Sequence, residues 1–175
     1  EADLIAEHAP GTQASVVANL PYNVGTALLL KWLTGPWQPR SMTLMFQKEV
    51  ADRITAQVGD DAYGRLAVVV QATAKARTVM DLPARAFTPP PKVTSAVVNL
   101  TPLMDRPDAA MLKALERTTQ AAFGQRRKML RSSLKTLGGT ELCLAAGIDP
   151  DVRAETVDVE GFLALAKIVL AQSAT

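Results

Sequence analysis

The apolar pattern of this chain changes character at Pro102, and that change limits the possible folds more than any other feature. Before it, short apolar runs alternate with stretches of helical period. Ser15-Val16-Val17-Ala18, ending at Asn19, and Met42 to Phe46 read as buried parallel strands. Helices are expected over 25–33, 48–58 and 65–76. In the second, Val50, Ile54 and Val58 share a face; in the third, Leu66, Val69, Val70 and Thr73 do. Arg77 to Leu82 and Ser95 to Leu100 read as strands on either side of Phe87-Thr88-Pro89-Pro90-Pro91-Lys92. Three consecutive prolines fit neither a helix interior nor a central strand, so this segment is a stiff extended loop.

After Pro102 only helical periods remain, over 109–123, 126–137, 140–146 and 159–172. Gly147 suits the left-handed position past a helix end, and Asp158 suits an N-cap. The organisation expected is an α/β part over residues 1–104 and a small all-α domain over 105–175. Residues 1–8 read as the end of a helix. The chain starts at Glu1 and runs almost at once into a strand, which reads as a truncated chain.

Composition excludes several function classes. Aromatic residues are only 5% of the chain, so the core is built from Leu, Val, Ala and Ile. A single cysteine, Cys143, rules out an internal disulfide, fits a reducing cytoplasmic setting, and reads as a small core residue. A single histidine, His8, leaves no His/Cys metal cluster and no Ser/His/Asp triad to assemble. No apolar run approaches the ~20 residues of a membrane span.

Charge is distributed unevenly. Residues 1–23 carry Glu1, Asp3 and Glu7 and no cation. Residues 106–135 carry eight cations against Asp108 and Glu116. Such asymmetry suits a polyanionic partner. On a helix over 126–137, Arg127, Lys128, Arg131 and Lys135 fall in one sector between about 100° and 200° from Arg126. Met129, Leu130, Leu134 and Leu137 fall opposite. A line of cations of this kind tracks phosphates and reads no bases. Arg126 itself falls in the apolar sector: it either swings out from the helix N-terminus or sits half-buried against a carboxylate. Lys48, Arg53, Arg65, Arg85 and Lys92 are further candidate phosphate contacts, and plain surface roles suit each of them equally well.

Asn19-Leu20-Pro21-Tyr22 stands where the first strand ends, the usual place for a ligand in an open α/β sheet. The Asn19 side-chain oxygen and the Leu20 carbonyl could accept both hydrogens of an exocyclic base amine. That would favour a pyramidal, more nucleophilic nitrogen without a strong base. Pro21 biases Leu20 to an extended conformation, and Tyr22 offers a ring for a base to stack on. The same four residues could equally be a strand-to-turn punctuation.

The flanking sequence separates these readings. Asn19-Leu20-Pro21-Tyr22-Asn23-Val24-Gly25-Thr26, Gln47-Lys48-Glu49-Val50-Ala51-Asp52-Arg53 and Ala62-Tyr63-Gly64-Arg65-Leu66 resemble the ribosomal small-subunit adenine dimethyltransferases. So do Ala86 to Val98, Ala122 to Leu134, and Gly147-Ile148-Asp149-Pro150 with Arg153-Ala154-Glu155. The resemblance implies part of a Rossmann-like class I methyltransferase domain followed by a helical RNA-binding domain. It implies methyl transfer from S-adenosylmethionine to N6 of two adjacent adenosines near the 3′ end of small-subunit rRNA. It places Asn19, Leu20, Pro21, Tyr22 and Phe87 at the catalytic site and Asn19 also at the cofactor, and it agrees with Arg126, Arg127, Lys128, Arg131 and Lys135 along the RNA; Lys92, Arg53 and Lys48 remain the weaker candidates from the α/β side. Phe87 packs on the target base or else anchors the proline loop in the core.

The family's Gly-rich cofactor loop, its ribose-holding acid and its N-terminal RNA-contacting arm have no match before Asn19, and no G-x-G pattern occurs. Asp3 reads as a solvated helix residue. The chain is therefore expected to be inactive alone and open to self-association through exposed sheet edge. Two other readings are a non-catalytic ribosome-assembly module and an antibiotic-resistance methyltransferase of large-subunit rRNA. The helical domain argues against the second of these.

Overall fold

A computed structural model of the chain describes residues 14–37, 39–125 and 127–173. The expected helix over 1–8, with Asp3 and His8, lies outside these residues, as does Arg126. Two compact units form, and they do not follow the linear division at 104/105. One takes the described residues up to Thr55 and then Thr73–Arg106; the other takes Ala56–Ala72 and Pro107–Thr175.

The first unit is a four-stranded sheet of order β1-β2-β4-β3. Its strands are β1 (Ser15–Asn19), β2 (Ser41–Gln47), β3 (Ala74–Leu82) and β4 (Ser95–Pro102). Helix α1 (Gly25–Thr34) carries the crossover from β1 to β2, which makes that pair parallel, with Asn19 opposite Met45. β4 runs antiparallel to both neighbours. In the centre, alternate residues Met42, Leu44 and Phe46 of β2 and Ala96, Val98 and Leu100 of β4 are buried. β1 departs from the buried strand expected. It lies at one edge of the described sheet, and Val17 is 80% exposed.

Helix α2 (Lys48–Thr55) packs over β2, β3 and β4 through Ala51 and Ile54. It is shorter than its periodicity suggests, and Val58 lies beyond it, exposed. At the end of α1, Arg106 donates to the carbonyls of Leu33 (2.7 Å) and Gly35 (2.9 Å). This cation from the basic segment thus serves a helix C-terminus, where positive charge and donors are both favoured. Partial burial lowers its pKa.

The second unit is helical. Its largest pairing is α4 (Ala109–Phe123) against α7 (Val159–Gln172). Both helices begin on an aspartate N-cap: Asp108 accepts from the Met111 amide and Asp158 from the Gly161 amide, each at 2.8 Å. Leu112, Leu115, Ala122, Phe162, Leu165 and Val169 fill the core, and Thr118 and Thr119 satisfy their buried hydroxyls on carbonyls one turn back. Helix α3 (Arg65–Thr73) adds Ala67, Val68 and Ala72 to this core, so the chain enters the helical unit before it reaches β3. β3 begins at Ala74, cutting the expected third helix short. Cys143, on α6 (Gly139–Ala145), is fully buried, and burial pushes its thiol pKa up. Gly147 follows α6 with φ +71°, the left-handed conformation expected there.

The helix expected over 126–137 does not form as one piece. Gln125, Arg127 and Lys128 lie in turns or a bend; a single helical turn, α5 (Leu130–Ser133), follows, and then a 3₁₀ turn at Lys135–Leu137. The cause is long-range pairing. The amides of Leu130 and Arg131 donate to the carbonyls of Val152 and Pro150, and Met129 bridges to Arg153. Those backbone groups are then unavailable to a continuous helix. Leu130, Leu134 and Leu137 are buried and Arg127, Lys128, Arg131 and Lys135 are exposed, as expected of the two faces; Met129, 41% exposed, departs from this.

Tyr63 ties the 56–72 segment to the helical core. Its hydroxyl donates to the Val157 carbonyl at 3.0 Å, and its ring meets Phe123 edge-on, with Phe123 in turn against Phe162. Burial, with the Asp158 carboxylate adding, raises its pKa to about 12. A phenol whose pKa is higher folded than unfolded contributes stability that is complete below the unfolded pKa of about 10 and is lost as pH rises through 12. Urea unfolding should therefore show stability falling between pH 10 and 12, and Tyr63→Phe should flatten that fall. At neutral pH the same variant should cost about 1–3 kcal/mol, since it orphans a buried carbonyl.

Candidate active site

β1 ends at Asn19, and the chain turns at once. The Pro21 carbonyl accepts from the amides of Val24 (3.1 Å) and Gly25 (3.0 Å), which closes the turn and starts α1. Leu20 is buried beneath the turn, whereas Asn19, Pro21 and Tyr22 are exposed. Gly25 packs closely there: a Cβ would meet Phe46 Cε1 at 3.2 Å and Leu20 Cβ at 3.3 Å, so one of these side chains would have to give by a few tenths of an ångström. The small residue lets the ring of Phe46 support the turn from below.

The second wall comes from the proline loop. A 3₁₀ turn at Ala84–Ala86 delivers Phe87, and Thr88–Pro89 is a cis bond. Phe87, Pro89 and Pro91 face Asn19, Leu20, Pro21, Tyr22 and Met45 across a cleft of about 340 Å³. All five residues read from sequence as catalytic thus line one cavity, although Phe87 is far from the others in the chain. Met45, Pro89 and Pro91 were not singled out beforehand. For Met45 the signal was its place at the end of the second parallel strand, opposite Asn19.

Tyr22 is held at its far end. Its hydroxyl and the Ser95 hydroxyl share a hydrogen bond of 3.0 Å. The ring remains 44% exposed and borders the cleft. The lining therefore combines one side-chain amide, a half-exposed aromatic ring, and apolar walls of Met, Phe and Pro. No carboxylate lines it, so the described walls do not by themselves fit a whole ribose-bearing donor such as S-adenosylmethionine. Among the described residues no group of His, Cys, Asp and Glu could hold a metal ion.

The candidate phosphate contacts divide into two groups. Lys48 lies 2.5 Å from Asp52 and 3.7 Å from Asp81, and its hydrogen bond to Asp52 raises its pKa. Arg53 pairs with Glu49 one turn back, and Arg131 with Asp151 at 2.9 Å. These three are engaged within the fold. Arg127, Lys128, Lys135 and Lys92 are exposed, and among the described residues none of them makes an ion pair. Arg65 and Arg85 are also exposed.

Residues 2–171 match the family model described as ribosomal RNA adenine dimethylase. The chain is 70% identical over 162 residues to a ribosomal RNA small subunit methyltransferase A of Phenylobacterium zucineum, covering 93% of this chain and 57% of that protein. It is 68% identical over 165 residues to the protein of the same name from Caulobacter vibrioides, covering 94% and 64%. It thus spans roughly three-fifths of the relatives it matches. A solved dimethyladenosine transferase from Plasmodium falciparum superposes with a TM-score of 0.72 at 25% identity, over 87% of this chain and 65% of that one. A 23S rRNA methyltransferase shares the fold with a TM-score of 0.66 at 23% identity, over 94% and 68%. The α/β unit is accordingly part of a Rossmann-like methyltransferase fold, and the chain belongs to the ribosomal RNA adenine dimethylase family.

Proposed function

We propose that this chain forms the acceptor side of an enzyme that dimethylates N6 of two adjacent adenosines near the 3′ end of small-subunit rRNA, with S-adenosylmethionine as methyl donor. The observation that carries this reading is the convergence of Asn19, Leu20, Pro21, Tyr22 and Phe87 on one cleft at the end of a strand. The adenine amine is a poor nucleophile because its lone pair is delocalised into the ring. Asn19 Oδ1 and the Leu20 carbonyl accept its two hydrogens and favour the pyramidal form. Tyr22 and Phe87 hold the base plane. Catalysis is then largely a matter of positioning.

In a protein of the relatives' full length containing this sequence, Asn19→Ala should lower methyl transfer to small-subunit RNA by about 100-fold or more. RNA binding should be retained. Wild-type activity in that variant would sink the reading. Since no carboxylate among the described residues lines the cleft, residues 1–175 alone should give no S-adenosylmethionine binding by calorimetry, and micromolar affinity would contradict this.

Arg127, Lys128, Lys135 and Lys92 are the phosphate contacts this reading favours, being exposed. Lys48, Arg53 and Arg131 already face carboxylates. Neutralising Lys128 or Lys135 should weaken RNA binding irrespective of sequence and lower the salt slope by about 1 each, measured by titration at several salt concentrations. Arg53→Gln should change the slope less.

A further inference from the structure

We infer that Ser95 is a positioning residue for the reaction, acting through the hydroxyl of Tyr22. The inference rests on the adenine-amine reading above and adds a residue to it. Ser95 is fully buried and is the first residue of β4. Its backbone is fixed from both sides, because it stands in register with Gln47 of β2 and with Leu82 of β3. The residue before it is held too, since the Lys48 amide donates to the Thr94 carbonyl at 2.9 Å. The Ser95 hydroxyl is therefore a fixed point in the sheet.

Tyr22 has the opposite character. It lies on an exposed turn with its ring half open to solvent. A tyrosine there has several rotamers, and only some of them set the ring along the cleft wall. The 3.0 Å bond from its hydroxyl to Ser95 holds the ring at the end farthest from the backbone. One restraint at that lever arm limits both side-chain torsions and leaves the ring face open. The bond also satisfies a buried hydroxyl that would otherwise be costly to bury. Ser95 precedes no other cleft residue and does not line the cavity itself, so its effect on a bound base passes through Tyr22.

The test is a double-mutant cycle on methyl transfer, in a protein of the relatives' full length containing this sequence, with small-subunit RNA as substrate. The variants are Ser95→Ala, Tyr22→Phe and the pair. Tyr22→Phe keeps the stacking face and removes only the bond. Each single variant should lower kcat about three- to tenfold, the range of one lost hydrogen bond, with KM for RNA moving less. The double variant should be no slower than the slower single. Multiplicative losses, or unchanged kcat in Tyr22→Phe, overturn the inference. The second result does so even where Ser95→Ala folds poorly. Asn19→Ala, assayed alongside, keeps the two proposals apart. Full activity there overturns the amine-acceptor reading, while the cycle still reports whether Ser95 and Tyr22 are coupled.

Discussion

The pairing of β4 with the ends of β2 and β3 is the constraint on which the cleft depends. The turn after β1 and the proline loop are separate pieces of chain, and apart from the 3₁₀ turn at Ala84–Ala86 neither has regular structure that would place it. Each is placed by the strand end beside it. β1 sets Asn19 opposite Met45, and β2 sets Gln47 opposite Ser95. The proline loop begins after Leu82 and ends before Ser95, and these two residues face each other across the β3–β4 ladder. The loop is therefore closed at its base by the sheet, and its length of stiff backbone decides where Phe87 stands. A one-residue slip of β4 would turn every side chain to the other face and remove Ser95 from Tyr22.

Features set by local chemistry were legible in the sequence. Asp108 and Asp158 cap their helices through bonds to amides three residues on, and α4 and α7 start and stop where their patterns do. Gly147 and the three prolines were legible for the same reason: backbone geometry there is set by the residue type. The segment over 126–137 was not. Its composition suits a helix, but its amides bond to carbonyls near Pro150, and no local pattern shows a partner so far away. The exposure of Val17 was hidden likewise, because a strand's neighbours are not written in the strand.

The site divides along the same line. Asn19 to Tyr22 were legible because four adjacent residue types have a joint chemical use. Phe87 was legible only as one of two alternatives, and its place on the cleft follows from the β3–β4 pairing. Ser95 stood in the sequence as an ordinary strand residue. Its role comes from a hydrogen bond across 73 positions. Tyr63 is a parallel case in the helical unit. It stands amid a segment between two helices, yet its hydroxyl and ring join that segment to residues 94 and 60 positions away.

Charge was the least legible property, and the reason is general. A count of cations over 106–135 treats each as available to an outside partner. The fold uses several of them itself. Arg106 is bound to two carbonyls at a helix end, and Arg131 faces Asp151 across a contact that brings distant segments together. In the α/β unit, Lys48 stands between Asp52 and Asp81 and so links α2 to β3. An exposed pair of this kind stabilises little, since solvent screens it. It nevertheless neutralises the cation toward a third charge. A protein cation gains phosphate affinity by displacing counter-ions condensed on the nucleic acid, and one already facing a carboxylate must share its charge with that partner, so it contributes less than its charge suggests. The electrostatic footprint for a polyanion is thus narrower than the sequence count. In the helical unit Arg127, Lys128 and Lys135 are exposed, on the turns that replaced the expected helix.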